Sequence, residues 1–361
     1  MSATFTIPQT QKAAVTISYD EPVTFQSDYP VVQPSSLLPG QVLVRLSCTG
    51  ICHSDLHIKR GEWVRRPLPF VGGHEGVGVI VAVASGTKES EDVKMGSRVG
   101  VKWILNSCGR CEYCRTSRDP VCVQAVKTGL SVDGTFQEYM VAWAEHLVPI
   151  PAGVSDEDAV PVLCAGLTVY KGLKISDTKV GDWIVIPGAG GGLGHLAIQY
   201  AVAKGLRVIA LDTGDDKKEA CLKLGAERWV DFKTSENVVA DVIAAAGAPG
   251  PHAALITTPS SAAYDAAVMY LRPHGTLVAI GMPPKEGPGS TFKTPIFAIV
   301  AKCLKIHGSI LGNLQDAVEA LDLVARGKVH GSTIQRKLED LEQTYEDMLE
   351  GKLVGRAMVR Y

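Results

Sequence analysis

Four cysteines fall within fifteen residues, as Cys108-x2-Cys111-x2-Cys114-x7-Cys122. Zinc takes four thiolates at about 2.3 Å in a tetrahedron, and close spacing lets one loop wrap the ion. An iron–sulfur cluster and a disulfide pair are the alternatives this spacing leaves. Four thiolates fill the coordination sphere, so a metal held there staples a loop and has no position for water or substrate. A metal that does chemistry needs three protein ligands and an open fourth position. Candidates for that set lie elsewhere: Cys52, His53 and His57 in "CTGICHSDLH", His74 and Glu75 in "GGHEGVG", and Cys164 in "PVLCAGLTVYKGL". Taken singly, each has a plainer reading, a cysteine as packing and a histidine as a satisfied polar residue in a turn.

A second kind of chemistry is signalled by "WIVIPGAGGGLGHLAIQY", an apolar run, a glycine loop and a helical pattern. Glycines let the backbone approach a pyrophosphate, and the helix N-terminus supplies N–H donors and a positive dipole end. The best register is Ala189-x-Gly191-x-x-Gly194, with Gly188 in front and Gly192 and Leu193 inside the loop. It departs from G-x-G-x-x-G, which is tolerable if the first turn does not need positive φ at Ala189. Asp212 ends the next apolar run, 21 residues after Gly191. A carboxylate there would accept hydrogen bonds from an adenosine ribose and repel a 2′-phosphate, which favours NAD over NADP. Its other reading is the N-cap of the following helix. Lys217 is a candidate for the same ribose or a solvated surface lysine, and His195, just after the loop, is a candidate phosphate contact.

These residues need elements to carry them. The chain has 361 residues, enough for roughly two domains. Its first ~160 residues show short β-type runs such as "QVLVRLSC" and "GVGVIVAVA", broken by Gly and Pro, without helical periodicity. After "PVLCAGLTVYKGL" the pattern alternates: "RVIALD", "RWVDF", "HAALITT", "GTLVAIG" and "CLKIHGSI" read as strands, and "HLAIQYAVAKG", "DKKEACLKLG" and "AAYDAAVMYL" as helices. Such alternation predicts a doubly wound parallel sheet in an α/β fold. The tail, from "NLQDAVEALDLVARG", reads as a helix and a terminal strand.

Composition narrows the classes. Hydrophobic residues make up 46% and charged residues 20%, with a formal net charge of −2. That balance argues against nucleic acid or an anionic membrane as partner. No apolar run is long enough to span a bilayer, and "MSATFTIPQTQKAAV" carries no secretory or Arg-rich presequence pattern. The expectation is a cytoplasmic protein whose nine cysteines are metal ligands or thiols.

At "GICHSDLH", "PFVGGHEGVGVI", the four-cysteine loop, "PVLCAGLTVYK", "GGLGHLAIQYA" and "IGMP", the chain resembles the zinc-containing medium-chain alcohol dehydrogenases, most of all the fungal, yeast-type ones. The resemblance runs through all but the first ~40 residues. It implies a GroES-like β-rich catalytic domain over 1–165, completed by 310–361, and a Rossmann NAD-binding domain over 166–309. It implies two zinc ions per chain, a catalytic one on Cys52, His74 and Cys164 and a structural one on Cys108, Cys111, Cys114 and Cys122. Asp55 would orient His74. Glu75 would assist ligand exchange, or else be a buried carboxylate paired with a base such as Arg356.

The implied activity is hydride transfer between small, ethanol-like primary alcohols and NAD. Ser54 would take the hydrogen bond from the substrate oxygen, and His57 would pass the proton to solvent. His53 and Arg356 would contact the pyrophosphate. Ile280 and Met282, in "AIGMP", would lie by the nicotinamide. Trp63, Trp103 and Met282 would narrow the substrate pocket, although tryptophans also simply fill cores. Cys48, Cys221 and Cys303 are left as buried or surface thiols. The short segment after Cys122 implies a homotetramer. The rival within the same family is an NADPH-dependent aldehyde or cinnamyl-type reductase.

Overall fold

A computed structural model of the protein describes residues 5–287 and 289–361. The first four residues of the N-terminal stretch read above lie outside them. Two compact units emerge, residues 1–164 with 313–325 and 333–361, and residues 165–312 with 326–332. The sequence assigned the whole tail from residue 310 to the first unit. The segment 326–332 instead goes with the second, because the Gln199 side chain holds His330 from both sides, donating to its carbonyl at 3.0 Å and accepting from its N–H at 2.8 Å.

The first unit is built on a seven-stranded sheet. Its path runs Val148–Pro149, Arg98–Val101, Gly76–Val83, Gln41–Ile51, Arg356–Arg360 and Thr333–Arg336, with Tyr139–Trp143 also paired to Gln41–Ile51. The alternation "QVLVRLSC" buries Val42, Val44 and Leu46 on one face, against Ile80, Val99, Val101 and Met140. In two registers of this sheet, Thr49 pairs with Gly76 and Ala357 pairs with Ile51. They bring the ends of three strands together at one point.

The sequence showed no helical periodicity in the first ~160 residues, yet His53–Lys59 is a helix. Seven residues are too short to carry a visible apolar stripe. The helix is held by its start: Asp55 Oδ2 accepts from the Cys52 N–H at 2.9 Å, the return half of a capping box.

The second unit is a six-stranded sheet whose strand pairings are all parallel. The strand order is Arg228–Asp231, Arg207–Asp212, Trp183–Pro187, Ala253–Ile256, Thr276–Ala279, Lys305–Gly308. Numbered along the chain this is 3-2-1-4-5-6, the doubly wound order with its switch point beside the first strand. The apolar runs of the central strands are short and buried: Ile184, Val185 and Ile186, like Val208, Ile209 and Ala210, are fully enclosed. The helices Gly194–Ala203 and Asp215–Lys223 each stop where Gly205 and Gly225 take positive φ. The α/β class, the β-rich first unit and the doubly wound second unit are as the sequence implied.

Candidate metal centres and nucleotide loop

Cys52 follows the strand Gln41–Ile51 and caps the His53–Lys59 helix; His74 and Glu75 immediately precede the strand Gly76–Val83. Because Thr49 faces Gly76, the two stretches meet, and the Gly50 N–H donates to the Glu75 carbonyl at 2.8 Å. Cys164 arrives from the end of the 3-10 turn Val160–Leu163. One ligating atom from each of Cys52, His74, Glu75 and Cys164 lies within 4.8 Å of the others. His74 Nε2 stands 3.2 Å from Cys164 Sγ, while its Nδ1 stands 2.7 Å from Asp55 Oδ1. His74 is 1% exposed and Asp55 3%, so this pair turns the imidazole in a dry site.

Glu75 has two neighbours. Its Oε1 lies 3.6 Å from His74 Nε2, and its carboxylate is gripped by Arg356, whose Nε donates to Oε2 at 2.9 Å while an η nitrogen reaches Oε1. The sequence had Arg356 on a pyrophosphate and also as a partner for Glu75; the structure places it buried on Glu75. Gly50 makes room, since a Cβ there would sit 2.5 Å from Glu75 Oε2. The sequence reading did not single out Gly50, and an unpatterned strand glycine gives no local sign of the carboxylate it admits.

Electrostatics follow from this enclosure. Burial pushes the Glu75 carboxyl up to about 7 against the pull of Arg356. Burial disfavours a charged His74 ring, but the Asp55 carboxylate and Cys52 outweigh it and hold the ring well above the usual histidine range. A hydrogen bond shared with Cys164 lowers the Cys52 thiol against burial, and the same bond together with burial raises that of Cys164. Two sulfurs that share one proton, beside a nitrogen oriented by a carboxylate, are a donor set that a zinc ion would complete. Replacing Asp55 by asparagine should lower zinc affinity at this site about 10–100-fold; competition with a chelating dye reads it.

The second cysteine set is local. Cys108 and Cys114 sulfurs are 3.8 Å apart, Cys111 and Cys114 3.5 Å, Cys122 and Cys108 3.7 Å. Zinc–thiolate bonds of ~2.3 Å put tetrahedral sulfurs about 3.8 Å apart, whereas a disulfide needs about 2.05 Å. The spacing suits one ion at the centre. Backbone N–H groups of Arg110 and Cys111 draw the Cys108 thiol down to about 6. Of the other cysteines, Cys48 and Cys221 are buried and Cys303 is exposed.

In the second unit the glycine loop joins the strand Trp183–Pro187 to the helix Gly194–Ala203. Positive φ falls on Gly188, at 80°, and Ala189 is not among the residues with positive φ, so alanine fits the register. Gly194 cannot carry a side chain: a Cβ would meet the Gly188 carbonyl at 2.2 Å. Asp212 ends the strand Arg207–Asp212, 6% exposed, with Oδ2 accepting from the Gly190 N–H and Oδ1 from the Thr213 N–H, both at 2.9 Å. The helix after it is capped by Gly214, which removes the N-cap reading. Lys217 lays its stem over Gly190 and brings Nζ to 3.5 Å from Asp212 Oδ1. Gly191, Gly192 and Leu193 complete the loop, Leu193 as N-cap of its helix. His195 is 2% exposed with Nδ1 3.0 Å from the Gly191 carbonyl, so it packs behind the loop and is not placed for phosphate. Ile280 is half-buried and Met282 46% exposed.

The remaining residues gather around the first helix. Ser54 is half-buried in its first turn and His53 is exposed. Trp103 meets His74 edge-on, with centroids 5.0 Å apart. Trp63 stacks on His57 at 4.7 Å, and His57 Nδ1 contacts Glu62 Oε2. The sequence reading passed over Glu62. Its approach depends on Gly61, whose φ of 65° turns the chain back onto the helix.

Comparison with known proteins adds the lineage. Residues 38–152 match the alcohol dehydrogenase GroES-like domain and residues 192–326 the zinc-binding dehydrogenase domain. Alcohol dehydrogenase 1 of Emericella nidulans is 45% identical over 352 residues, 97% of each chain. The chain belongs to the zinc-containing alcohol dehydrogenase family. Alcohol dehydrogenase of Schizosaccharomyces pombe is 43% identical, covering 98% of this chain and 99% of its own. Among solved structures, the alcohol dehydrogenase of Aeropyrum pernix superposes with a TM-score of 0.86 at 29% identity, over 97% of this chain and all of its own. An acetophenone reductase of Geotrichum candidum solved with NAD gives 0.85 at 26% identity, covering 99% of each chain. Among the described residues no helix is long and apolar enough to cross a membrane.

Proposed function

We propose that the protein is an alcohol dehydrogenase that interconverts small primary alcohols and aldehydes, with NAD as hydride carrier and two zinc ions per chain. The observation that carries it is the Cys52–His74–Cys164 cluster, its histidine buried and its two cysteines half-buried, with Asp55 behind the histidine. Zinc, when bound, would supply a Lewis acid that makes an alcohol easier to deprotonate, and NAD the hydride acceptor. Cys52, His74 and Cys164 would hold the ion, Glu75 remaining with Arg356 until a ligand exchanges. Ser54 would accept the hydrogen bond of the alcohol hydroxyl, and His57 would carry its proton outward. Trp103, against His74, would limit the alcohol's size. His53 and Arg356 remain the proposed pyrophosphate contacts, with Ile280 and Met282 by the nicotinamide.

NAD rather than NADP is supported by Asp212, a carboxylate at the end of the second strand where a 2′-phosphate would meet like charge. The protein's relatives in structure include one described with NAD and one with NADP(H), so the choice rests on this residue. Replacing Asp212 by asparagine should cut kcat/KM for NAD about tenfold, the equivalent of one charge-assisted hydrogen bond, and raise that for NADP.

Assembly with further copies of the chain has its own support. The strand Lys305–Gly308 ends the second sheet with all four residues exposed, and Ile296, Phe297 and Val300 on the helix Ile296–Ala301 are 77%, 82% and 68% exposed.

The test is the initial rate of NADH formation over ethanol, longer primary alcohols, 2-propanol and benzyl alcohol, repeated with NADP. Highest efficiency with ethanol and NAD is the expected result. A preference for bulky alcohols with NADP would favour the cinnamyl-type reading, and no turnover in a zinc-replete sample would sink both.

A further inference from the structure

We infer that Glu62 is a positioning residue for proton release, holding His57 by Nδ1 so that Nε2 is the nitrogen that receives the substrate's proton. The inference rests on the proposed alcohol dehydrogenase reading. Oxidising an alcohol with NAD transfers one hydride to the nicotinamide and leaves one proton, which the protein must hand to water. His57 sits in the last turn of its helix, with Nδ1 on Glu62 Oε2. Glu62 reaches it because its own N–H donates to the His57 carbonyl at 2.9 Å across the Gly61 turn.

Two constraints act on the ring at once. Glu62 fixes its rotation in plane, and Trp63, stacked at an interplanar angle of 24°, fixes the plane itself. Exposure rises outward, from 13% for the His57 side chain to 27% for that of Glu62. A carboxylate on one nitrogen selects the tautomer with its proton there and leaves the other nitrogen as acceptor. When Nε2 takes the proton, the ring becomes an imidazolium paired with Glu62. Release of the Nε2 proton to water then restores the neutral ring with its other proton still on Nδ1, held by Glu62.

Among the described residues, the charges around the ring are few. Arg60 Nη1 lies 3.8 Å from Glu62 Oε1, on the far side of the carboxylate. His53 is close enough to feel the His57 charge. Lys59, on the same helix, is taken up by Glu342 of the helix Leu341–Leu349 at 3.4 Å. Glu62 is therefore the carboxylate in contact with the ring.

The experiment compares the zinc- and NAD-loaded wild type with E62A, E62Q and E62D. Single-turnover NADH formation is measured with and without added imidazole buffer, and the His57 tautomer by 15N NMR of the zinc-loaded full chain. The expected result is a tenfold or greater loss of the single-turnover rate in E62A and E62Q, with KM for alcohol and NAD within about twofold, as a positioned base contributes to rate and not to binding. Added buffer recovers most of the loss, E62D recovers part of it, and the NMR shows the Nδ1-protonated form giving way in E62A. A wild-type rate in E62A, a loss confined to KM, or an unchanged His57 tautomer overturns the inference. E62Q, which keeps the side chain's shape, guards against misfolding of E62A. If the wild type oxidises no alcohol, it is the functional reading that fails, and the NMR arm still decides whether Glu62 sets the tautomer.

Discussion

Replacing His74 by alanine will lower alcohol oxidation by about a thousandfold or more and remove one zinc per chain while the other stays. The magnitude follows from what the ion contributes. A Lewis acid beside the reacting oxygen supplies several kcal/mol, and about 4 kcal/mol corresponds to a factor near a thousand. The remaining ligands cannot compensate. Cys52 and Cys164 alone would offer two thiolates, and Glu75, the fourth member of the cluster, is tied to Arg356. Losing the imidazole also takes from Asp55, 3% exposed, the partner of Oδ1 and leaves it the Cys52 N–H on Oδ2, at a cost of about 1–3 kcal/mol in stability. Zinc by elemental analysis, a melting temperature and the NADH rate are measured together. A variant that keeps both zinc ions and a rate within tenfold of wild type would show that the Cys52–His74–Cys164 cluster is not the reacting centre.

The second large effect is on stability. Substituting Cys122 by alanine should empty the four-cysteine site, lower the melting temperature by several degrees, and leave zinc in the other site. The reason is that the loop has little else to hold it. Its regular structure is the four-residue helix Glu112–Arg115 and the 3-10 turn Asp119–Val121, and Val121 and Val123 are 48% and 87% exposed. Zinc on cysteine ligands contributes of order 10 kcal/mol to the folding of small zinc domains. Only the share coupled to the rest of the unit reaches the global transition, and a few kcal/mol moves a domain of this size by several degrees. Hydrogen exchange across residues 104–127 gives the local reading: protection should vanish there and persist in the sheet. Unchanged protection in the variant would mean the loop folds without its metal.

The two metal centres also show why one was legible before the fold and the other was not. Four cysteines within fifteen residues can close on an ion whatever the surrounding chain does, so spacing pointed to the site, and the sulfur separations agree with it. The glycine loop was legible for a similar reason. A strand, a turn that needs Gly188 at positive φ and a helix that needs Gly194 bare are consecutive in the chain. The strand and helix pattern of the second unit came from apolar runs short enough to be buried on both faces.

Other features had no local signature. Cys52, His74, Cys164 and Arg356 are spread over three hundred residues, and as residues alone they were four ordinary side chains made meaningful by family resemblance. Strand register joins them: Thr49 opposite Gly76 sets Cys52 beside His74, and Ala357 opposite Ile51 brings Arg356 onto Glu75. The burial that raises Glu75 to about 7 and lifts His74 exists only once those strands have paired. His195 was only a candidate, because its position after the loop suggested phosphate, while the helix turns it into the interior. Glu62 was missed because one glycine turn, invisible in composition, folds it back on His57. Residue spacing along the chain thus settled the thiolate loop, the nucleotide turn and the class of fold, since each is made from neighbours in sequence. The clustering of Cys52, His74 and Cys164 and the approach of Glu62 to His57 came from pairing and burial, because hydrogen-bond register and desolvation belong to residues that meet only in space.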